Sequence, residues 1–262
     1  HVMLESLGTL TVNETITLMA DATLTLVKNI GPGMWLARLD SPIDTIHLLE
    51  RIGTTPLPPY IRQQRKALHE PVDRDDDMTR YNTIFARDAG SVAAPTAALH
   101  FTQALFDALD AKGVQRVILT LHVGLGTFAP VRVDDLTQHA MHHEHLHIPA
   151  STLAAIRDTR TTGGRIIPVG TTSVRALESL PDPLPEHENI TADTNLFIYP
   201  GSGHVFRCAD ALMTNFHLPR STLLALVASL PGVGIDNLKR WYRVAIEHDY
   251  RFYSYGDAML LL

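Results

Sequence analysis

The chain has 262 residues, 45% of them hydrophobic and 19% charged, with a formal net charge of −6. That balance excludes a disordered chain and provides material for one large core or two unequal ones. The longest apolar run, Leu223 to Leu230, falls far short of the roughly 20 residues that a membrane-spanning helix needs. No charged-then-apolar leader opens the sequence, so neither membrane insertion nor export is expected. The single cysteine, Cys208, excludes an internal disulfide and a thiolate metal site and suits a reducing, cytoplasmic setting. A negative chain does not advertise a polyanion partner, because nucleic-acid binders carry basic surface to replace phosphate counterions. Lys239, Arg240, Arg243 and Arg251, interleaved with Trp241, Tyr242 and Tyr250, soften that vote. The plainer reading is a solvated helix face.

Residues 7–39 alternate polar and apolar with many β-branched side chains, punctuated at Asn13-Glu14 and Gly31-Pro32-Gly33, and predict three or four short antiparallel strands. So few strands leave two open edges and little core, which points to part of a larger sheet or barrel. A short helix around Ile43 to Arg51 leads to Pro56-Leu57-Pro58-Pro59-Tyr60, where each proline fixes its own φ and restrains its predecessor. This stretch reads as a rigid, extended linker. Asp73 to Asp77 reads as a solvated loop.

Strand-like and helix-like segments then alternate, the pattern of an α/β layered domain. A helix is expected from Pro95, with Leu99, Leu105, Phe106 and Leu109 on one face and Gly113 ending it. Buried strand Val117 to Val123 follows, then strand Arg165 to Val169 and a helix opened by Gly170-Thr171-Thr172-Ser173 and running through Leu180. Strand Leu196 to Tyr199 breaks at Pro200-Gly201. Ser221 and Thr222 can cap an apolar helix to Leu230, and Asp236 starts a longer amphipathic one.

Gly124-Leu125-Gly126-Thr127-Phe128-Ala129 has the letters of a dinucleotide fingerprint, but Pro130-Val131-Arg132-Val133 reads as extended chain, not the helix that must face a pyrophosphate. The two glycines still permit close backbone approach to a ligand, and a tight structural turn is the alternative. Gly170 to Ser173 at a helix start can seat a carboxylate or phosphate, or simply cap. Arg175 and Glu178, one turn apart, can pair with each other. His139, His142, His143, His145 and His147 invite a metal, yet Glu144 does not complete His-Glu-x-x-His, and Ile148-Pro149 argues for extended chain, so none is expected. His100, His122 and His217 each sit inside an apolar run, beside Thr96, Gly124 or Asn215. Such a histidine is commonly structural; its functional reading is an imidazole able to move a proton near neutral pH.

Read as strings, these residues are far more specific. Pro56-Leu57-Pro58-Pro59-Tyr60-Ile61, Arg80-Tyr81-Asn82-Thr83, Gly90-Ser91-Val92-Ala93-Ala94-Pro95-Thr96-Ala97, Leu99-His100-Phe101 and Leu121-His122-Val123-Gly124-Leu125-Gly126-Thr127-Phe128 follow in order, then Met141-His142 with Glu144 and Val169-Gly170-Thr171-Thr172-Ser173. Arg175, Leu177-Glu178-Ser179, Phe197-Ile198-Tyr199-Pro200-Gly201, Thr214-Asn215-Phe216-His217-Leu218-Pro219 and Tyr250-Arg251-Phe252 through Met259 complete the series. Together they resemble the S-adenosylmethionine:tRNA ribosyltransferase-isomerase family of queuosine biosynthesis. Asn82, Ala98 and Arg220 depart from it mildly, standing where glutamine, glycine and lysine are expected. The family's opening segment, with an Asn-Asp-Thr-Arg-type string, has no counterpart here, so an N-terminally truncated chain is expected.

The resemblance implies an αβα layered domain with a second, smaller β-barrel domain, incomplete here: residues 1–41 as partial barrel, 42–60 as linker, 61–262 as catalytic domain. It implies S-adenosylmethionine as ribosyl donor, 7-aminomethyl-7-deazaguanine in the tRNA anticodon as acceptor, epoxyqueuosine as product, and no metal or further cofactor. The oligomeric state stays open, a monomer being favoured. His100 and His217 become candidates for catalytic base and acid, in either order. The helix start Gly170, Thr171, Thr172 and Ser173 would hold the methionine carboxylate with help from Arg175. Gly124, Gly126 and Thr127 would let a nucleoside lie on backbone, and Arg80 and Tyr81 would bind phosphate or stack on a base. Thr96, His122, Glu178, Tyr199 and Asn215 complete the expected substrate-binding set. Two rivals remain: an inactive or regulatory ligand-binding paralogue on the same scaffold, and an S-adenosylmethionine enzyme with a different acceptor.

Overall fold

The computed structural model describes residues 1–262 apart from 5, 7, 20, 125–132, 134, 140 and 142. Two compact units divide the chain, His1–Thr55 and Pro56–Leu262.

In the smaller unit, β1 (Val2–Met3), β2 (Thr15–Thr17), β3 (Thr23–Gly31) and β4 (Met34–Asp40) form one antiparallel sheet in the order β1-β4-β3-β2. It is open, with β1 and β2 as its edges, and these residues do not close a barrel. Gly33, at φ +71, supplies the positive φ that the β3–β4 turn needs after Pro32. Leu24 and Leu26 share a face by the two-residue period and are buried with Ala22 and Trp35. Helix α1 (Thr45–Ile52) is capped by Asp44, whose carboxylate accepts from the N–H groups of Ile46 and His47.

The larger unit mixes helices and strands. Its first helix, α2 (Pro59–Ala67), starts on the last proline of the run expected to be extended, because proline fits the first helical position where no N–H is needed. Asp77 is not in a solvated loop: it is 3% exposed at the start of α3 (Asp77–Arg80), gripped by both terminal nitrogens of Arg65 at 2.6 Å and by the N–H of Arg74 at 2.9 Å. The Arg65 guanidinium pulls the Asp77 carboxyl below the ordinary carboxylate range.

The helix expected from Pro95 is two elements, a 3-10 turn Thr96–His100 and α4 (Gln103–Ala111). Thr102 interrupts them, its hydroxyl accepting from Leu105 N–H to cap the second. Strand β5 (Thr120–His122) is shorter than expected, and Val117 and Ile118 are about half exposed. It pairs antiparallel with β6 (Glu144–Ile148), which after α5 (Ala150–Thr161) and α6 (Thr171–Glu178) pairs with β7 (Ile190–Thr194). Residues 165–169 make only a single parallel bridge, Val169 to Met213. Pro168 has no N–H to give a ladder, and Ile166 N–H goes to the Asp210 carboxylate at 2.7 Å. The strand expected at 196–199 lies earlier, at β7; the Thr194 hydroxyl takes Leu196 N–H and ends it. Finally β8 (Leu212–Asn215) and β9 (Ala258–Leu261) pair antiparallel around α7 (Thr222–Ser229), capped by Ser221, and α8 (Gly234–Glu247). The unit's described strands therefore pair antiparallel in two separate sheets.

Two cores result. One gathers Ile198, Leu212, Leu226, Val227 and Leu238, the other Leu146, Ile148, Leu153, Ile156 and Leu180. Helix α6 serves both, giving Val174 to the first and Ala176 and Leu177 to the second, so its charged side chains Arg175 and Glu178 are buried too.

Asp77→Asn leaves the Arg65 charge buried without its counter-ion. Urea denaturation at pH 7 is expected to show a loss of about 3 kcal/mol. Because the Asp77 pKa is depressed, the pair's contribution is complete above the ordinary value of 3.8 and fades as pH falls through the folded value. Wild type and variant should therefore converge in stability in strong acid.

Candidate functional site

Segment 90–100 ties the ends of β5 and β8 together. At its start Gly90, at φ +140, lies so close to His122 that a Cβ there would come within 2.9 Å of the imidazole. Ser91 Oγ accepts from Val123 N–H at 3.2 Å, and Val92 N–H donates to Val123 O at 3.1 Å. Further along, the Thr96 hydroxyl donates to Asn215 Oδ1 at 2.9 Å. His100 ends the turn, exposed and within electrostatic reach of Asp257. Gly170, at the N-terminus of α6, donates its N–H to Met213 O at 2.8 Å, two residues before Asn215. The sequence thus brings Thr96, His100, His122, Gly124, Gly170, Asn215 and His217 to neighbouring strand and helix ends.

Three polar groups there are unusual. Asn215 is 3% exposed, and its Nδ2 has no hydrogen-bond partner among the described residues. His122 likewise has a buried Nδ1 without a partner, its ring stacked 6.3 Å from that of His145. His217 is held on both sides, with Nε2 2.8 Å from the Thr214 hydroxyl and its backbone N–H donating to Tyr242 Oη at 2.8 Å. Burial pulls the His217 pKa down to about 4, so the ring is neutral at physiological pH. Burial also lifts Tyr242 to about 12, against the opposing pull of the His217 N–H. Gly124 is exposed, and a Cβ there would touch nothing within 4 Å.

Other expected site residues are placed elsewhere. Arg175 and Glu178 do not pair with each other. Arg175, 4% exposed, is bound to Glu144 of β6. Glu178 accepts from the N–H groups of Arg207, Cys208 and Ala209, each at 2.9 Å, and lies 3.2 Å from His204 Nε2. Buried between two cores, neither charge can remain unpaired, and each has a partner within the fold, although Arg175 Nε makes no hydrogen bond among the described residues. The Ser173 hydroxyl donates back to Val169 O at 2.8 Å, which leaves backbone amides and the half-buried Thr172 to the helix start; Thr171 is buried. Arg80 is exposed and paired with Asp76 at 3.2 Å, while Tyr81 is 4% exposed and cannot offer a free face to a base. Tyr199 packs on Phe197 with ring centroids 4.8 Å apart. Gly126, Thr127 and His142 lie outside the described residues.

Within the histidine-rich stretch, His145 meets Asp193 and His147 meets Thr191 across the β6–β7 ladder. No group of three or more potential ligands could hold a metal among the described residues. Nor, among them, is any helix long and apolar enough to cross a membrane. A cavity of about 240 Å³ lined by Phe206, Asp210, Leu230, Val233 and Leu261 includes none of the expected site residues. Tyr242 and Asp257 were not expected at the site: Tyr242 read as part of a solvated helix face, and only proximity in the fold reveals either role.

Fold and site define a mixed α/β protein with a cluster of imidazoles and a buried amide at its strand ends. The chain belongs to the queuosine biosynthesis protein family, whose model matches residues 1–261. It is 53% identical over 220 residues to an S-adenosylmethionine:tRNA ribosyltransferase-isomerase of Cupriavidus pinatubonensis, covering 84% of this chain and 60% of that protein. A relative of the same description from Trichlorobacter lovleyi is 42% identical, over 95% of this chain and 70% of its own length. The crystal structure of an S-adenosylmethionine tRNA ribosyltransferase from Thermotoga maritima superposes with a TM-score of 0.52 at 31% identity, covering 99% of this chain and 73% of that one. The chain thus spans about three-fifths of the first of these relatives.

The depressed His217 pKa has a thermodynamic consequence. Between about 4 and 6.5 the unfolded chain binds a proton at this residue that the folded chain does not, so acidification costs stability in that window, by at most about 3 kcal/mol. Urea titrations at pH 7, 5.5 and 4.5 should show a shallower decline in His217→Gln than in wild type.

Proposed function

We propose that this chain carries the ribosyl-transfer centre of a queuosine-forming enzyme. In this reading S-adenosylmethionine donates its ribosyl group to 7-aminomethyl-7-deazaguanine at the tRNA wobble position, epoxyqueuosine forms, and adenine and methionine leave. The names of its relatives support the reaction class. The observation that carries the site is the convergence of His217, Asn215 and Thr96 at the end of β8, with an amide donor left over for a ligand.

The sulfonium acidifies the ribose carbon bonded to it, and loss of that proton to a base gives an ylide able to displace adenine. With the ring neutral, one imidazole nitrogen is free to accept a proton and no imidazolium is present to act as the acid, so His217 is assigned the accepting role. His100, exposed and near the Asp257 carboxylate, is assigned the donating role toward departing adenine. Asn215 Nδ2 donates to an acceptor on the nucleoside. The first-turn amides of α6 receive the methionine carboxylate, favoured by the partial positive charge of a helix N-terminus. Gly124 leaves room for the nucleoside to approach the backbone. S-adenosylmethionine serves as substrate, and no further cofactor or metal takes part.

Substituting His100 or His217 by glutamine should lower the rate of adenine release at least about 100-fold, the lower range for losing a general acid or base. Chromatographic quantification of adenine checks this, and near-normal release in both variants would refute the assignment.

A further inference from the structure

We propose that Tyr81 and Tyr255 form a seat for a nucleoside, taking the hydrogen-bonding edge of its base or the hydroxyls of its ribose. The two rings meet edge to face with centroids 5.6 Å apart. Both phenolic oxygens are buried, and neither has a hydrogen-bond partner among the described residues. A buried hydroxyl left unmade is costly, and these two belong to rings in edge-to-face contact within one cluster. The neighbouring Tyr60 shows the contrast: its hydroxyl accepts from Ser254 N–H at 2.8 Å. Ser254 is near enough to Tyr81 to oppose the upward push of burial on its pKa, yet makes no well-formed hydrogen bond to it.

The loop that presents Tyr255 is built under strain. Tyr253 has φ +74, a conformation that disfavours a bulky side chain, and a Cβ on Gly256 would fall 2.4 Å from Arg251 O. Asp257 closes the loop by accepting from Arg251 N–H at 2.7 Å and from its guanidinium at 2.8 Å. Tyr253 N–H donates to Phe216 O at 3.0 Å, which fixes the loop one residue from His217.

Local charge selects the kind of ligand. Four charges act on Tyr255, namely Arg65, Arg80, Asp76 and Asp77. They are paired with one another, Arg65 with Asp77 and Arg80 with Asp76, so a phosphate gains no net attraction. Burial raises both phenols' pKa values, keeping them protonated as neutral groups that donate and accept. A neutral ligand rich in donors and acceptors matches this, and the Arg80 guanidinium, 5.9 Å from the Tyr255 ring centroid, stands beside the seat. The proposal rests on the reading above in one respect only, which is that it supplies two nucleoside-bearing molecules, S-adenosylmethionine and tRNA.

Tyr81→Phe, Tyr255→Phe and the double variant each remove oxygen and keep the ring. Calorimetry with S-adenosylmethionine and fluorescence anisotropy with a labelled anticodon stem-loop separate the two sources. Affinity for one probe should fall about five- to tenfold per oxygen while the other is unchanged, and the thermal midpoint should stay or rise. A drop for S-adenosylmethionine assigns the seat to the donor nucleoside; a drop for the stem-loop assigns it to a tRNA nucleotide. Wild-type affinities for both probes in the double variant, a fall in its thermal midpoint, or a wild-type chain that binds neither probe would overturn the seat. Intact binding without adenine release would refute ribosyl transfer and leave the seat standing.

Discussion

The hydrogen bond from Thr96 to Asn215 joins residues 119 apart in sequence and holds segment 90–100 against β8. With Ser91 and Val92 bonded to Val123, that segment becomes a strap across the ends of two ladders that share no strand pairing. It sets His122 at the end of β5 beside Asn215 and His217 at the end of β8, adding to the tie that helix α6 makes by packing into both cores. The bond also occupies one end of the Asn215 amide and leaves the other end unused in a place that water barely reaches. Folding alone gains nothing from that arrangement, which is why it is read as a site.

Burial of charge organises the rest. Helix α6 feeds two cores, so Arg175 and Glu178 must be neutralised by partners from distant parts of the chain, Glu144 in one case and three successive backbone N–H groups in the other. Those partners fix where β6 and the 204–209 loop sit relative to the helix whose N-terminus faces β8. Side chains that look like ligand residues in sequence thus act as joints of the scaffold. The chemistry falls instead to groups that the scaffold leaves unmatched.

Legibility in the sequence followed the range of the interactions involved. The small sheet was readable because Thr, Val and Ile alternate between Asn13 and Pro32-Gly33, and the starts of α6 and α7 because glycine and serine caps act within four residues. Strand ends were misplaced where one side chain diverted a ladder: the Thr194 hydroxyl stopping β7, and the Asp210 carboxylate with Pro168 thinning the stretch at 165–169. Asp77 looked solvated because its partner Arg65 lies 12 residues away on another helix. At the site, the motif strings named His100, Asn215, His217 and Thr96, but not which of their atoms were spent. Tyr242 carried no signal, since a tyrosine among arginines on an amphipathic helix reads as surface until the fold sets its hydroxyl on the His217 backbone.

Ribosyl transfer at the β8 end is tested most directly by mass spectrometry. An anticodon stem-loop bearing 7-aminomethyl-7-deazaguanine is incubated with the chain and S-adenosylmethionine, and its mass is followed alongside free adenine. The stem-loop is expected to gain the mass of the transferred ribosyl group, with one adenine released per modified molecule. An unchanged stem-loop, in the presence of chain that demonstrably binds S-adenosylmethionine, would contradict it.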